Sequence, residues 1–315
     1  MVMANLTNLA GRMMLVTGGR GFLGSNLCAR LAELGVVLHA TTTARLPEDS
    51  SGMRWHRVDL ADVSDVRDLL DQLHPEVIFH LAGHGVGAPG IEQVLPTFHH
   101  DLAGTVNLLT AVAERKSTRR VILAASLEEP TAADAHIPAA TPYAAAKWAS
   151  GVYARMFHAL YETPVVMVRP FMAYGPGQRT HKLIPHVILA LLQGQSPKLS
   201  SGLRPVDWVY VGDVIEGMIA AAWVPGIEGS TFDLGSGELV PIRGVVEKLI
   251  EITGASEPPR FGALPDRPME RVRVADTAPA AESLGWKCVT SLDAGLRKTV
   301  SWYEKELRKT AEVRV

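Results

Sequence analysis

Short apolar runs recur along the first half of the chain, separated by stretches whose apolar positions repeat at helical spacing. Residues 13–17, 36–40, 77–81, 120–125 and 165–168 read as buried strands, and 55–58 as a weaker one. Residues 22–34, 63–73, 95–115 and 142–161 read as helices. The last opens on Pro142, where a missing N–H costs little. Strands that are apolar on both faces and alternate with helices predict a doubly wound α/β fold with a parallel sheet. After Arg169-Pro170 glycine and proline become frequent and the predicted helices shorten. The expected organisation is a first domain over 1–170 and a smaller C-terminal lobe over 171–315. The chain is expected to return to the first sheet near 207–222 and 231–235.

Composition narrows the function classes. The 315 residues are 47% hydrophobic and 20% charged, ordinary for a chain with a real core. A net charge of −2 gives no general attraction for nucleic acid or an anionic membrane. No apolar stretch approaches the roughly 20 uncharged residues of a membrane span. Residues 1–11 lack a basic patch followed by an apolar run, so a cytoplasmic location is expected. Cys28 and Cys288 lack metal-ligand spacing, and His99 and His100, being adjacent, would diverge on a helix. No metal site is expected.

The first strand runs directly into Thr17-Gly18-Gly19-Arg20-Gly21-Phe22-Leu23-Gly24. Gly18 permits a tight turn, Gly21 lets the backbone approach a pyrophosphate, and Gly24 lets helix and strand pack closely. The helix N-terminus then offers free N–H groups and a positive dipole end to phosphates. A dinucleotide site follows. A carboxylate ending the second strand would mark NAD by binding the ribose 2′-hydroxyl. This chain has Ala40-Thr41-Thr42-Thr43-Ala44-Arg45 instead. Thr41, Thr42 and Arg45, with Arg20 from the first loop, form a candidate clamp for a 2′-phosphate, since guanidinium suits phosphate. NADP(H) is therefore expected in preference to NAD(H).

Tyr143 and Lys147 stand four apart in a predicted helix and so share one face. A nearby ammonium favours phenolate, so the pair could exchange a proton. Ser126 follows the fifth strand, at the carboxyl end of the sheet where α/β folds bind ligands.

Together these segments resemble the extended short-chain dehydrogenase/reductase family, which includes sugar-nucleotide epimerases, dehydratases and ketoreductases. The matching pieces also include Val58-Asp59-Leu60, His80-Leu81-Ala82-Gly83, the run from Arg169-Pro170 to Gly177, and Val209-Tyr210-Val211-Gly212-Asp213-Val214. The resemblance implies a Rossmann sheet in which Phe22, Leu23, Asp59, Leu60, Leu81, Ala82, Gly83 and Pro170 line the cofactor. It implies that Lys147 holds the nicotinamide ribose, Ser126 bonds the reacting oxygen and Tyr143 is the acid/base. It also implies an NDP-sugar substrate on the smaller lobe, and a homodimer built through a four-helix bundle.

Departures from the family pattern bear on the reaction. Met172 stands where the family often has Asn. Val206 stands where an Arg often precedes the Asp-aromatic pair, which leaves Arg204 and the later Arg267 as diphosphate candidates. Lys182 lies in a segment similar to the one that covers the nucleotide. Dehydratases place Asp-Glu after the catalytic hydroxyl; here Leu127 and Glu128 follow Ser126, so Glu128 alone is placed at the substrate. The expected activity is NADP(H)-dependent reduction of an NDP-4-keto-sugar. The alternatives are a 4-epimerase, a 4,6-dehydratase and a non-catalytic NADP-sensing module. The last usually lacks the Tyr or the Lys, and both are present here.

Overall fold

The computed structural model describes residues 9–46, 52–130, 137–266 and 271–312. They divide into two compact units. Unit 1 comprises the described residues within 1–170, 215–233 and 278–286, and unit 2 those within 171–214, 234–277 and 287–315.

In unit 1 the chain runs β1 (Met13–Thr17), α1 (Phe22–Glu33), β2 (Val37–Thr42), β3 (Arg54–Arg57), α2 (Val63–Leu73) and β4 (Val77–His80). It continues through α3 (Val94–Thr97), α4 (Gly104–Arg115), β5 (Arg120–Ala124), α5 (Pro142–Tyr161) and β6 (Val165–Pro170). With β9 (Thr231–Leu234) these strands form a seven-stranded sheet of order β3-β2-β1-β4-β5-β6-β9. The pairs from β3 across to β6 are all parallel. The strand order reverses between β1 and β4, which opens the crevice that doubly wound sheets use for ligands. Leu15, Ile78, Val121, Leu123, Val165 and Met167 of the strands pack against Leu69, Leu108, Val112 and Phe157 of α2, α4 and α5. This is the Rossmann-like α/β sheet expected from the alternation of apolar strands and helices.

Unit 2 holds β7 (Met172–Tyr174), α6 (Leu183–Leu192), β8 (Pro205–Tyr210), β10 (Leu239–Pro241), α8 (Ile242–Thr253) and α9 (Leu292–Glu312). The chain passes back into unit 1 within α7 (Val211–Trp223). A three-stranded sheet, β10-β8-β7, packs with α6, α8 and α9 around Ile188, Trp208, Val245, Leu249, Leu296 and Tyr303. Two buried carboxylates tie the loops of this unit. Asp207 accepts from Ser236 N and Oγ, Gly237 N and Ala275 N. Asp213 accepts from Thr290 N and Oγ1 and from Cys288 Sγ.

Three elements depart from expectation. The helix expected over 95–115 is divided: α3 passes into a π-helical turn, Phe98–Ala103, before α4 begins. The Asp101 carbonyl in that turn receives the hydroxyls of Thr105 (2.6 Å) and Ser150 (3.2 Å), which compete with the regular helical bond. Secondly, β2 runs on to Thr42, so Thr41 and Thr42 belong to the strand. Thirdly, the strand near 207 pairs with β7 and β10 rather than with the large sheet; only β9 joins that sheet.

Candidate active site

The loop after β1 is shaped by backbone proximity. Gly18 has φ +70°, and a Cβ there would lie 2.7 Å from the Ala82 Cα. A Cβ on Gly24 would stand 2.2 Å from the Gly18 carbonyl oxygen, so no larger residue lets α1 start this close to the loop. Gly21 N donates to Gly18 O (2.9 Å), closing the turn. Helix α1 has no side-chain cap and no acidic residue in its first turn. Its N-terminal N–H groups and dipole thus suit a pyrophosphate, and the cradle fits a dinucleotide.

Thr17 anchors this loop to β4. Its Oγ1 accepts from Leu81 N (3.2 Å) and Ala82 N (3.1 Å). Both lone pairs are then used, so its proton goes to His80 Nδ1, 2.8 Å away. His80 therefore carries its proton on Nε2 and donates to Thr105 Oγ1 (3.0 Å), which in turn donates to Asp101 O. Burial, with Lys147 nearby, pushes the His80 pKa down to about 3, so the ring is neutral. The relay joins β1, β4 and the π-helical turn under the nucleotide loop.

At the end of β2, Thr41 is buried and its Oγ1 accepts from Gly18 N (3.4 Å). Thr42 Oγ1 accepts from Ala44 N (3.1 Å). Arg20 Nη1 donates to the Arg45 carbonyl (3.0 Å), which brings the two arginines named from the sequence together at the surface. Asp59 Oδ1 accepts from Ala61 N, and Leu60 is buried against Gly104.

Thr141 caps α5 by accepting from Ala144 N (3.0 Å) and so fixes where Tyr143 leaves the helix. Tyr143 is hydrogen-bonded to the Ser126 side chain. Lys147 is buried and donates to the Ala124 carbonyl at the end of β5 (2.5 Å). Ser126, Tyr143 and Lys147 thus converge at the carboxyl end of the sheet. Burial raises the Tyr143 pKa, and the Asp101 carboxylate adds to the rise; the bond with Ser126 acts the other way. Burial also lowers Lys147, while Asp101 and Glu129 hold its charge.

Asp101 and Glu129 escaped the sequence reading. Asp101 is 2% exposed and accepts from His84 N (3.1 Å), against the Gly83 backbone. Glu129 is 4% exposed and accepts from Ser126 N (2.6 Å). Glu128, chosen from the sequence, instead accepts from Thr141 Oγ1 (3.1 Å), and its own N–H donates to Ser126 Oγ (3.2 Å). Two neighbouring Glu residues soon after the apolar run 121–125 were the available signal.

In unit 2, Lys182 precedes α6 and is exposed, while Arg204 is half-buried before β8. Arg267 lies outside the described residues. Among the described residues no cluster of three or more His, Cys, Asp or Glu could hold a metal, and no helix is long and apolar enough to cross a membrane.

A parallel sheet with a glycine-built nucleotide cradle and a Ser-Tyr-Lys site at its carboxyl end defines a dehydrogenase/reductase class of enzyme. The model of the NAD dependent epimerase/dehydratase family matches residues 14–235. The chain belongs to that family, of the extended short-chain dehydrogenase/reductase type, and is an enzyme. It is 31% identical to the UDP-glucose 4-epimerase of Mycolicibacterium smegmatis, over 93% of this chain and 98% of that one. It is 27% identical to the dTDP-glucose 4,6-dehydratase of Neisseria meningitidis, over 93% of each. Among solved structures, the Bordetella bronchiseptica enzyme WbmF in complex with NADH superposes with a TM-score of 0.84. That match has 28% identity and covers 98% of this chain and 96% of that one.

Proposed function

We propose that this enzyme uses NADP(H) to reduce the 4-keto group of a nucleotide sugar. The observation that carries the reading is the end of β2, where Thr41, Thr42 and Arg45 stand without a carboxylate and Arg20 reaches the Arg45 backbone. A carboxylate there would repel a 2′-phosphate; two guanidinium groups attract one. A reductase consumes its cofactor each turnover, and cells supply reducing power as NADPH. The bound nicotinamide would supply the hydride. Tyr143, held protonated by burial, would give its proton to the substrate oxygen while Ser126 holds that oxygen. Lys147 would hold the ribose. Gly18, Gly21 and Gly24, with Phe22, Leu23, Asp59, Leu60, Leu81, Ala82, Gly83 and Pro170, would line the cofactor. Arg204 and Arg267 of the C-terminal lobe would bind the diphosphate, Lys182 lies in the segment that would cover the nucleotide, and Glu128 would bind the sugar.

Epimerisation at the same carbon is the second reading. It is favoured by the relative named UDP-glucose 4-epimerase and by WbmF, whose structures hold NADH, and NAD+ with UDP. An epimerase would first oxidise its substrate, with Tyr143 taking the proton, and then return hydride and proton from the other face. Dehydration is less well supported, because Leu127 replaces the acid.

Cofactor titration of the purified enzyme tests the leading reading. NADP(H) should bind tighter than NAD(H), and NADPH absorbance should fall when a 4-keto nucleotide sugar is added. Arg45→Ala should weaken NADP(H) by about 1.5–3 kcal/mol and leave NAD(H) nearly unchanged. Equal affinity of the wild type for both cofactors would contradict it.

A second copy of the chain is the proposed partner, packed through α4 and α5 as a four-helix bundle. Apolar residues on more than one face of these helices, among them Val106, Leu109, Val112, Trp148, Val152 and Phe157, point to such a bundle; of these, Leu109, Val112 and Phe157 lie in the core. Val152 of the same set is exposed, as are Leu95, Phe98 and, on α5, Leu160.

A further inference from the structure

We propose that Glu129 is a positioning residue of this site: its buried carboxylate ties the end of β5, which carries Ser126, to helix α5, which carries Tyr143 and Lys147. One carboxylate oxygen receives Ser126 N at 2.6 Å, and Glu129 N returns a bond to Ser126 O at 3.1 Å. Ser126 is therefore held at both backbone groups by one residue. The other oxygen faces α5, where a Cβ on Gly151 would stand 3.4 Å from it. Gly151 lies one turn beyond Lys147, and Lys147 itself returns to β5 through Ala124 O. The strand end and the helix thus meet at two points: the Lys147 ammonium bonds Ala124 O, and the Glu129 carboxylate, bonded to Ser126 N, lies beside Gly151.

The carboxylate also contributes charge. Asp101 from the π-helical turn, His80 from β4, and Glu128 and Glu129 from the loop after β5 face Tyr143 or Lys147. Glu129 in turn faces Lys147 and Arg155 of α5 and Arg169 of β6. Burial raises the Glu129 pKa, while the bond from Ser126 N and the cations Lys147, Arg169 and Arg155 favour its ionised form. In that form it favours the ammonium of Lys147 and the protonated phenol of Tyr143. That phenol is the form a proton donor needs, so the inference rests on the proposed reduction.

Two variants separate holding from charge. Glu129→Gln keeps the oxygen that accepts from Ser126 N and removes the charge; Glu129→Leu removes both. In Glu129→Gln, kcat should fall about tenfold with KM nearly unchanged, and the alkaline limb of the pH profile should move to lower pH, because the phenol loses a neighbouring anion. In Glu129→Leu, kcat should fall about 100-fold. Amide hydrogen exchange at Ser126 should quicken at least tenfold in Glu129→Leu and stay near wild type in Glu129→Gln, both variants having near-wild-type melting curves. Unchanged exchange at Ser126 in Glu129→Leu would overturn the holding role, with or without turnover. Wild-type kcat and an unmoved pH limb in Glu129→Gln would overturn the charge role. A wild-type enzyme inert toward every nucleotide sugar would instead sink the proposed reduction, and the exchange measurement would still decide the holding role.

Discussion

His80 is neutral because both ring nitrogens are committed inside the sheet and its pKa is pushed down to about 3. In the unfolded chain a histidine titrates near about 6.5. Between those values the unfolded chain binds the extra proton, so the contribution of His80 to stability is full above about pH 6.5 and is lost as pH falls toward 3. Denaturant unfolding at a series of pH values should show stability falling through that window, and His80→Asn should flatten the slope. A variant with the wild-type slope would remove His80 from the effect. The Tyr143–Lys147 pair was legible in the sequence because helical spacing alone puts i and i+4 on one face. Glu129 and the relay Thr17–His80–Thr105 were not, because they depend on how separate strands and loops meet. Between adjacent carboxylates, only the turn after β5 decides that Glu129 goes inward and Glu128 to Thr141.

Among elements, the β1 loop and α1 were read correctly because glycine spacing reports close backbone approach directly. Gly24→Ala tests that reading: its Cβ would lie 2.2 Å from the Gly18 carbonyl oxygen. Relief requires α1 to move, at about 1–3 kcal/mol for such overpacking. Denaturation should register that loss, and cofactor affinity should fall with it; wild-type stability and affinity would show that the loop is looser than described. The π-helical turn was not legible. An extra residue in one turn leaves the apolar pattern of 95–115 nearly intact, and its cause lies in the hydroxyls of Thr105 and Ser150 on the Asp101 carbonyl. Strand β8 was misplaced for a related reason: Val206, Trp208 and Val209 are apolar enough for either sheet, and pairing with β7 and β10 is set by tertiary contacts.

For the whole molecule, alternating strands and helices predicted the large parallel sheet, whereas sequence pattern had no means of fixing the partners of the smaller one. Assembly is tested by sedimentation at micromolar concentration, where a dimer is expected. Val152→Glu should shift it toward monomer, because Val152 is 49% exposed on α5. A wild-type monomer would remove the proposed bundle. In the proposed reaction, hydride passes from NADPH to a nucleotide sugar with Tyr143 as the proton donor. Single-turnover reduction of a 4-keto nucleotide sugar by nicotinamide-deuterated NADPH measures this most directly. The wild type should place one deuterium on the product carbon. Tyr143→Phe should bind the same cofactor and transfer deuterium about 10²–10⁴ times more slowly. Near-normal transfer by Tyr143→Phe, or no deuterium in the wild-type product, would overturn the proposed reaction.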